Sequence, residues 1–229
     1  MLARISGVRA LFAVGSVTLV AGCSVAHAPP PAPEAPPSAR YLALGDSFTI
    51  GTGGTPDRAF PARLAARASC KVELRNLGVN GYTTGDVIDE ELPALPGFAP
   101  TFVTLAIGAN DIVRGSGVDG YRARVRQILA AVHAAGVKRI VTLPQPDWSK
   151  SPAARAFGEP AAIHARIVEA NAVLRDETAA AGGTYVDLFP LMESQARAGR
   201  LAGDGLHPST EAYDAWAEEL ARRGVGPCG

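Results

Sequence analysis

The chain carries, at residues 41–49, the stretch Tyr41-Leu42-Ala43-Leu44-Gly45-Asp46-Ser47-Phe48-Thr49. Its first four residues are apolar, which predicts a strand buried on both faces. Gly45 permits a tight turn, and the residues after Ser47 can begin a helix. The stretch therefore predicts a strand that turns directly into a helix, which is the repeating unit of a parallel sheet covered by helices.

The same alternation continues along the rest of the chain. Apolar runs predict further strands at residues 71–77, 102–107, 139–143 and 184–188. Amphipathic stretches predict helices at residues 60–68, 84–92, 118–135, 161–181 and 211–223. Right-handed crossovers join such strands into a parallel sheet. We therefore predict one α/β domain over residues 40–229, a flavodoxin-like three-layer α/β/α sandwich with a central parallel sheet of about five strands.

The start of the chain is typical of an export signal. Arg4 and Arg9 precede an apolar run at residues 11–21, which is too short to span a bilayer but suits the h-region of a signal peptide. The run ends in Leu19-Val20-Ala21-Gly22-Cys23, which resembles the bacterial lipobox. We therefore expect residues 1–22 to be a lipoprotein signal peptide and Cys23 to be lipidated. The alternative is an ordinary signal peptide that is cleaved after Ala26 or Ala28.

Residues 23–39 predict a linker between this signal and the folded domain. Between residues 28 and 38 the chain is rich in Pro and Ala. Proline fixes φ and lacks an amide donor, so this stretch favours an extended spacer over a helix or strand. Several acyl chains on Cys23 would anchor the protein stably. We therefore expect an exported protein of the cell envelope that is lipid-anchored to a bacterial membrane.

The charge of the chain argues against nucleic acid as a partner. Lys and Arg together number 22, and so do Asp and Glu. Binding to nucleic acid requires a basic surface, which this balance does not favour. We expect a monomer that acts on a small neutral or mixed-charge molecule.

Ser47 follows the first predicted strand, and a serine hydroxyl needs a base before it can act as a nucleophile. Of the four histidines in the chain, His27 lies in the linker, and His133 and His164 lie in Ala-rich helices with no acid in a suitable nearby turn. His207 differs from them because it lies in a loop just before the last predicted helix.

Asp204 stands three residues before His207 in that loop. From there its carboxylate can reach the imidazole Nδ1–H and leave Nε2 free to act as a base. These residues predict a nucleophile, a base and an orienting acid. The alternatives are that Ser47 only caps a helix and that the Asp and His share a loop by chance.

Two more loops follow predicted strands at the same edge of the sheet, at residues 76–84 and 107–112. Ester cleavage requires hydrogen-bond donors for the oxyanion of the tetrahedral intermediate. The backbone N–H groups of Ser47 and Gly81 and the side-chain amide of Asn110 could supply them. Ordinary turn chemistry is the alternative for each loop, since Gly and Asn are common in turns.

Together these blocks resemble the SGNH hydrolase family, also called the GDSL family, over residues 41–223. The four blocks in chain order are Gly45-Asp46-Ser47, Gly81, Gly108-Ala109-Asn110-Asp111 and Asp204-Gly205-Leu206-His207. Phe48 stands where the family name has Leu. The chain has no Gly-x-Ser-x-Gly elbow around Ser47, which distinguishes it from α/β-hydrolases.

The resemblance implies a lipoprotein-type serine esterase that needs no metal or cofactor. It implies Ser47 as the nucleophile, His207 as the base and Asp204 as its orienting acid, with an acyl-enzyme intermediate. It also implies an oxyanion hole formed by Ser47, Gly81 and Asn110. Asp46 and Asp111 are interpreted as acceptors that hold loops in place.

Two further sets of residues carry predictions. Cys70 ends the first long helix and Cys228 follows the last one, so in an oxidising compartment we predict a Cys70–Cys228 disulfide; two free thiols are the alternative. Tyr82, Ile112 and Trp148, together with Phe157, are predicted to wall a substrate pocket, although Trp148 could instead only cover the core.

The residues and the resemblance together predict an exported serine esterase that hydrolyses carboxylic esters of small or acyl substrates. An envelope acyltransferase with the same chemistry, which passes the acyl group to a sugar, is one alternative. A non-catalytic envelope lipoprotein that retains the fold is the other.

Overall fold

The computed structural model of the protein describes residues 38–228. The predicted signal peptide, the lipidated Cys23 and nearly all of the predicted linker lie outside these residues. The first strand begins at Ala39, one residue before the predicted start of the domain. None of the helices in the described part has the length and hydropathy needed to cross a bilayer.

Five parallel strands form a sheet with the spatial order β2-β1-β3-β4-β5. They are β1 (Ala39–Gly45), β2 (Val72–Asn76), β3 (Phe102–Ala106), β4 (Arg139–Thr142) and β5 (Thr184–Tyr185). Every residue of β3 is buried, as are residues 41–45 of β1, because helices cover both faces of the sheet. The predicted α/β sandwich with about five parallel strands is confirmed.

The helices alternate with the strands as the sequence predicts. They are α1 (Ser47–Ile50), α2 (Phe60–Ala66), α3 (Thr84–Asp86), α4 (Leu95–Phe98), α5 (Ala109–Val113), α6 (Val118–Ala134), α7 (Pro160–Ala180), α8 (Phe189–Arg197) and α9 (Thr210–Arg222). The long predicted helices at residues 118–135, 161–181 and 211–223 agree with α6, α7 and α9 to within one residue at each end.

Three elements differ from the sequence prediction. The predicted helix at residues 84–92 is α3 followed by a π-helical turn at Val87–Glu91, and a 3₁₀ turn containing Pro93 comes next. The predicted strand at 184–188 pairs only over β5, because the Asp187 carboxylate already accepts from the Phe189 amide and helps to start α8. Helix α8 was not predicted.

The strand order places a crevice at the carboxyl ends of β1 and β3. From β1 the chain moves to β2 on one side, and it then returns to β3 on the other side. Gly45 at the end of β1 is in register with Ala106 at the end of β3. Loops that leave neighbouring strands in opposite directions open a binding site between them. Ser47 and Asn110 lie on the helices that follow β1 and β3 at this point.

The two ends of the domain are joined on one face of the sheet, where α2 packs against α9. Asp214 on α9 accepts a hydrogen bond from Arg63 Nε at 2.7 Å and lies 2.9 Å from Arg67 Nη2. Cys70 and Cys228 form a disulfide with a Cα–Cα distance of 5.9 Å. The covalent link therefore fixes the end of the chain to the region that follows α2.

Candidate active site

Ser47 is the first residue of α1, immediately after a sharp turn at the end of β1. Gly45 has φ +147°, and a Cβ there would lie 2.2 Å from the Ala106 carbonyl oxygen. Asp46 caps the helix, because its Oδ1 accepts from the Phe48 amide at 3.0 Å. Ser47 itself is only 7% exposed. The turn therefore holds the serine in one position above the edge of the sheet.

His207 is oriented by Asp204 in the loop before α9. Its Nδ1 lies 2.7 Å from Asp204 Oδ2, and Asp204 Oδ1 accepts from the amides of Leu206 and His207 at 2.9 and 3.0 Å. Partial burial raises the pKa of Asp204, but the hydrogen bonds from the Leu206 amide and from His207 outweigh it, so the pKa lies below its ordinary value. An ionised Asp204 assigns the proton of a neutral imidazole to Nδ1 and leaves Nε2 as the base.

Ser47 and His207 line the same cleft. The Phe48 ring packs beside the imidazole, with ring centroids 5.2 Å apart. Within residues 38–228, no hydrogen bond joins the Ser47 hydroxyl to His207. Catalytic hydrogen bonds are often long in unliganded enzymes and shorten when a substrate binds. The arrangement therefore brings the two residues into one cleft without a preformed hydrogen bond between them.

Gly81 and Asn110 line the same cleft, and hydrogen bonds link the loop that carries Gly81 to the segment of α5 that carries Asn110. Gly81 has φ +85°, and a Cβ there would meet only Arg114 Nη2 at 3.9 Å, so the space in front of its backbone is open. Arg114 Nη2 donates to the Gly81 carbonyl at 2.8 Å, and Asn110 Nδ2 donates to the Tyr82 carbonyl at 2.9 Å. Because an amide NH₂ carries two protons, Asn110 retains one that can bind a substrate oxygen.

The cleft around these residues has a volume of about 200 Å³. Apolar side chains and one side-chain amide from several segments form its walls: Phe48, Asn80, Ala109, Val113, Trp148, Phe157 and Leu206. The rings of Trp148 and Phe157 meet edge to face at 5.8 Å. Trp148 is only 4% exposed, whereas Phe157 is 45% exposed. Trp148 therefore both covers the core and forms a wall, with Phe157 at the rim.

The predicted wall residues Tyr82 and Ile112 are not among the residues that line this cleft. Ile112 follows Asn110 by two residues on α5, so it faces away from it into the core, where it is 5% exposed. Val113, three residues after Asn110, faces the cleft instead. Tyr82 contributes its main-chain carbonyl to Asn110. Helical spacing from Asn110 was the signal that could have identified Val113.

Residues 43–215 match the GDSL-like lipase/acylhydrolase family. The chain belongs to this family. The match spans most of the described residues and all four motif blocks. It confirms the predicted family and, with it, the class of enzyme, a GDSL-type serine esterase. No curated protein sequence matches the chain significantly.

Solved structures of GDSL-type and related hydrolases share the fold. LAE5, an alpha/beta hydrolase enzyme from the metagenome of Lake Arreo in Spain, is 21% identical with a TM-score of 0.66, covering 82% of this chain and 95% of its own. A catalytic mutant of Axe2, an acetylxylan esterase from Geobacillus stearothermophilus, is 17% identical with a TM-score of 0.66, covering 84% and 97%. TesA is 21% identical with a TM-score of 0.65, covering 80% and 96%.

The two acids of the GDSL blocks, Asp46 and Asp111, hold loops, as interpreted from the sequence. Asp46 caps α1. Asp111 is 2% exposed and accepts from the Thr84 amide and hydroxyl at 2.9 and 2.6 Å. Arg124 Nη2 on α6 donates to the same carboxylate at 3.1 Å. Asp111 therefore connects α5 to the loop that carries Gly81.

A second Asp–His pair lies outside the cleft of this GDSL esterase. His164 Nδ1 lies 2.8 Å from Asp147 Oδ2, so the interpretation that His164 has no acid nearby is wrong. No sequence signal indicated this pair, because the two residues are far apart in the chain. They meet only where α7 packs against the loop after β4. Neither residue lines the cleft that contains Ser47.

The same pair has a third neighbour. Ligand atoms of Asp147, His164 and Glu193 lie within 4.8 Å of one another, which is close enough to hold a metal ion. Two of these carboxylates also pair with cations: Lys150 Nζ lies 3.7 Å from Asp147 Oδ2, and Arg197 Nη2 lies 3.0 Å from Glu193 Oε2. Ser149 also donates to Asp147. These contacts fully account for the buried Asp147 carboxylate as part of an ion-pair network.

Proposed function

We propose that this protein is an exported, lipid-anchored serine esterase that hydrolyses carboxylic esters through an acyl-enzyme on Ser47. One observation carries the proposal: four residues from separate parts of the chain line a single cleft, namely Ser47, Gly81, Asn110 and His207. The Asp204–His207 hydrogen bond of 2.7 Å supports the role of His207 as the base.

In the first half of the reaction, Ser47 Oγ attacks the ester carbonyl carbon while His207 Nε2 takes the hydroxyl proton. The resulting imidazolium is stabilised by the ionised Asp204. When the tetrahedral intermediate collapses, the bond to the alcohol oxygen breaks, and His207 gives its proton to that oxygen. The alcohol leaves, and the acyl group remains as an ester of Ser47.

In the second half, a water molecule replaces the alcohol. His207 removes one proton as the water oxygen attacks the acyl carbon, and it then returns a proton to Ser47 Oγ as the acid leaves. In both halves the negative oxygen is stabilised by the amides of Ser47 and Gly81 and by the second Nδ2 proton of Asn110. The open space in front of Gly81 allows the oxygen to approach the backbone closely.

The walls of the cleft favour an apolar group on the substrate. Trp148, Phe157, Val113 and Leu206 line it, and burial of an acyl chain against such side chains is favourable by about 0.8 kcal/mol for each methylene. The volume of about 200 Å³ suits a small acyl or alcohol group. We therefore propose small or acyl esters as the substrates, including the acetyl esters that the name of the Axe2 enzyme indicates for that protein.

The location in the cell is a separate part of the proposal, and its main support is the sequence at the start of the chain. The lipobox-like residues 19–23 follow an apolar run of signal-peptide length. The Cys70–Cys228 disulfide is consistent with an oxidising compartment.

A panel of p-nitrophenyl esters of increasing acyl length tests the catalytic part. The wild type is compared with Ser47→Ala and with Ser69→Ala, an exposed serine outside the cleft. We expect Ser47→Ala to lower kcat on the order of 10⁶-fold and Ser69→Ala to leave it unchanged. Comparable turnover in wild type and Ser47→Ala would exclude the mechanism. Product analysis with an added sugar acceptor separates hydrolysis, which releases the free acid, from acyl transfer.

Mass spectrometry of the mature N-terminus tests the anchor. The full-length gene is expressed in a bacterium, and the membrane fraction is compared for wild type and Cys23→Ser. We expect the wild type in the membrane fraction with acyl chains on Cys23, and the variant released from it. An unmodified N-terminus on the mature wild type would overturn this part of the proposal and leave the catalytic part intact.

A further inference from the structure

Glu91 is a buried carboxyl group that no sequence motif of the active site includes. It ends the π-helical turn Val87–Glu91 and is only 2% exposed. Its Oε2 accepts a hydrogen bond from the Gly45 amide at 2.9 Å. Inserted π turns of this kind occur frequently at functional sites. The turn aims this side chain at the backbone two residues before Ser47.

The Gly45 amide needs such a partner because the sheet does not supply one. The last residue of β2, Asn76, is in register with Ala43, so β2 ends before it reaches Gly45. A buried amide without an acceptor is destabilising. Glu91 therefore replaces a missing strand carbonyl at the point where β1 turns into the loop that carries the nucleophile.

The surroundings of Glu91 favour the neutral carboxyl. Its Oε1 and the neighbouring Asp46 Oδ2 are both buried and have no hydrogen-bond partner among the described residues. Burial, together with the charges of Asp46 and Asp86, raises the pKa of Glu91 to about 9 despite the hydrogen bond from the Gly45 amide, which lowers it. Burial likewise raises the pKa of Asp46 to about 8. Protonation of Glu91 on the unpartnered Oε1 removes a buried negative charge that no nearby cation in the described part of the chain compensates.

The titratable groups on the elements that pack against this turn do not supply a compensating cation. On its own turn these groups are Asp89 and Glu90, and on α3 and after β1 they are Asp86 and Asp46. On β1, Arg40 Nε donates to the Ala99 carbonyl, and the Tyr41 hydroxyl forms a hydrogen bond with Thr104. On α6, Arg124 donates to Thr84 and Asp111, and Tyr121 donates to the Ile107 carbonyl. Arg122 and Arg126 of α6 pair with Glu177 on α7, and α6 also carries Asp119 and the exposed His133.

We propose that Glu91 is a positioning residue of the esterase: as a neutral acid it accepts the Gly45 N–H and so fixes the turn that places Ser47 and its amide in the cleft. This proposal rests on the proposed role of Ser47. Loss of the acceptor would free the turn and misplace the nucleophile, and a displacement of about 1 Å can cost about 10²-fold in rate.

The test compares Glu91→Gln, which keeps a neutral acceptor, with Glu91→Leu, which has none. Initial rates on a p-nitrophenyl ester are divided by the number of active sites, counted from the p-nitrophenol burst. We expect Glu91→Gln to stay within about threefold of the wild type, and Glu91→Leu to lose about 10–100-fold in kcat with KM changed less than threefold. A merely structural role would lower the melting temperature of Glu91→Leu without changing kcat per titrated site.

Two results would overturn the proposal: a wild-type kcat per site in Glu91→Leu, or an equal loss in Glu91→Gln. If the leucine variant does not fold, Glu91→Asp replaces it, because the shorter side chain retains a carboxyl but withdraws it from Gly45. We then expect the same loss of kcat in Glu91→Asp, and unchanged turnover would refute the positioning role. Absence of turnover in the wild type would instead reject the proposed function.

The pH dependence of stability reports on Glu91 without any turnover. Because its folded pKa of about 9 lies above the ordinary value of 4.5, its contribution is complete below pH 4.5 and is lost as the pH rises toward 9. We expect urea unfolding to show that the wild type loses stability relative to Glu91→Gln over this range. Parallel curves for the two proteins would show that Glu91 is not held neutral.

Discussion

The side-chain amide of Asn110 donates a hydrogen bond of 2.9 Å to the main-chain carbonyl of Tyr82. Asn110 belongs to α5 after β3, whereas Tyr82 belongs to the loop after β2 and directly follows Gly81. The bond therefore links two proposed oxyanion donors across two loops. It leaves Asn110 with one amide proton, so the same side chain can position the Gly81 loop and bind a substrate oxygen.

Asn110→Ala should remove both of these effects. We expect kcat on p-nitrophenyl acetate to fall about 10²–10³-fold, because one oxyanion donor is lost and the Gly81 loop is released. KM should change little, since the donor acts mainly on the charged intermediate. Val113→Ala is the matched control on the same face of α5, and it should mainly raise KM for longer acyl chains. A decrease in kcat of less than twofold for Asn110→Ala would remove it from the oxyanion hole.

The two Asp–His pairs found among residues 38–228 should respond differently to loss of the histidine. His207→Ala removes the proposed base and should lower kcat by at least about 10⁴-fold. His164→Ala disrupts an ion-pair network outside the cleft and should leave kcat within threefold. Steady-state kinetics on one ester measures both. Equal losses in the two variants would mean that His164 takes part in catalysis.

Gly45 should tolerate no side chain. A Cβ there would lie 2.2 Å from the Ala106 carbonyl oxygen and 2.4 Å from Thr49 Oγ1 at a φ of +147°, so Gly45→Ala should prevent folding or inactivate the enzyme. Gly97 on α4 is the control, because a Cβ there meets nothing within 4 Å. Gly97→Ala should raise the free energy of unfolding by about 0.4–1 kcal/mol. Circular dichroism during thermal unfolding measures both, and a stable, active Gly45→Ala protein would contradict the turn geometry.

The disulfide should contribute to stability and not to catalysis. It links residues 158 positions apart, and such a link restricts the unfolded chain strongly. Replacing Cys70 and Cys228 together by Ser should lower the free energy of unfolding by about 2–4 kcal/mol. Urea unfolding with and without a reductant measures the change, and kcat at 25 °C serves as the control. Identical curves for oxidised and reduced wild type would show that the link is not formed in solution.

Local patterns predicted most of the fold and much less of the site. The βα alternation and the long helices α6, α7 and α9 could be identified because apolar periodicity is a property of neighbouring residues. The short strand β5 was overestimated, because Asp187 and Phe189 divert the chain into α8. The direction of each side chain was harder to predict. Ile112 and Val113 are adjacent apolar residues, and only the rotation of α5 places one in the core and the other in the cleft.

By itself, the sequence determined the class of fold, the family and the residues Ser47, Gly81, Asn110 and His207 as candidates for one site. These follow from motifs and periods within short segments. Only the tertiary structure decided that Asp147 meets His164, that Val113 lines the cleft and that Glu91 accepts the Gly45 amide. The reason is physical: a contact between residues many positions apart depends on how helices and loops pack, and a buried amide is satisfied by whichever acceptor that packing brings within reach.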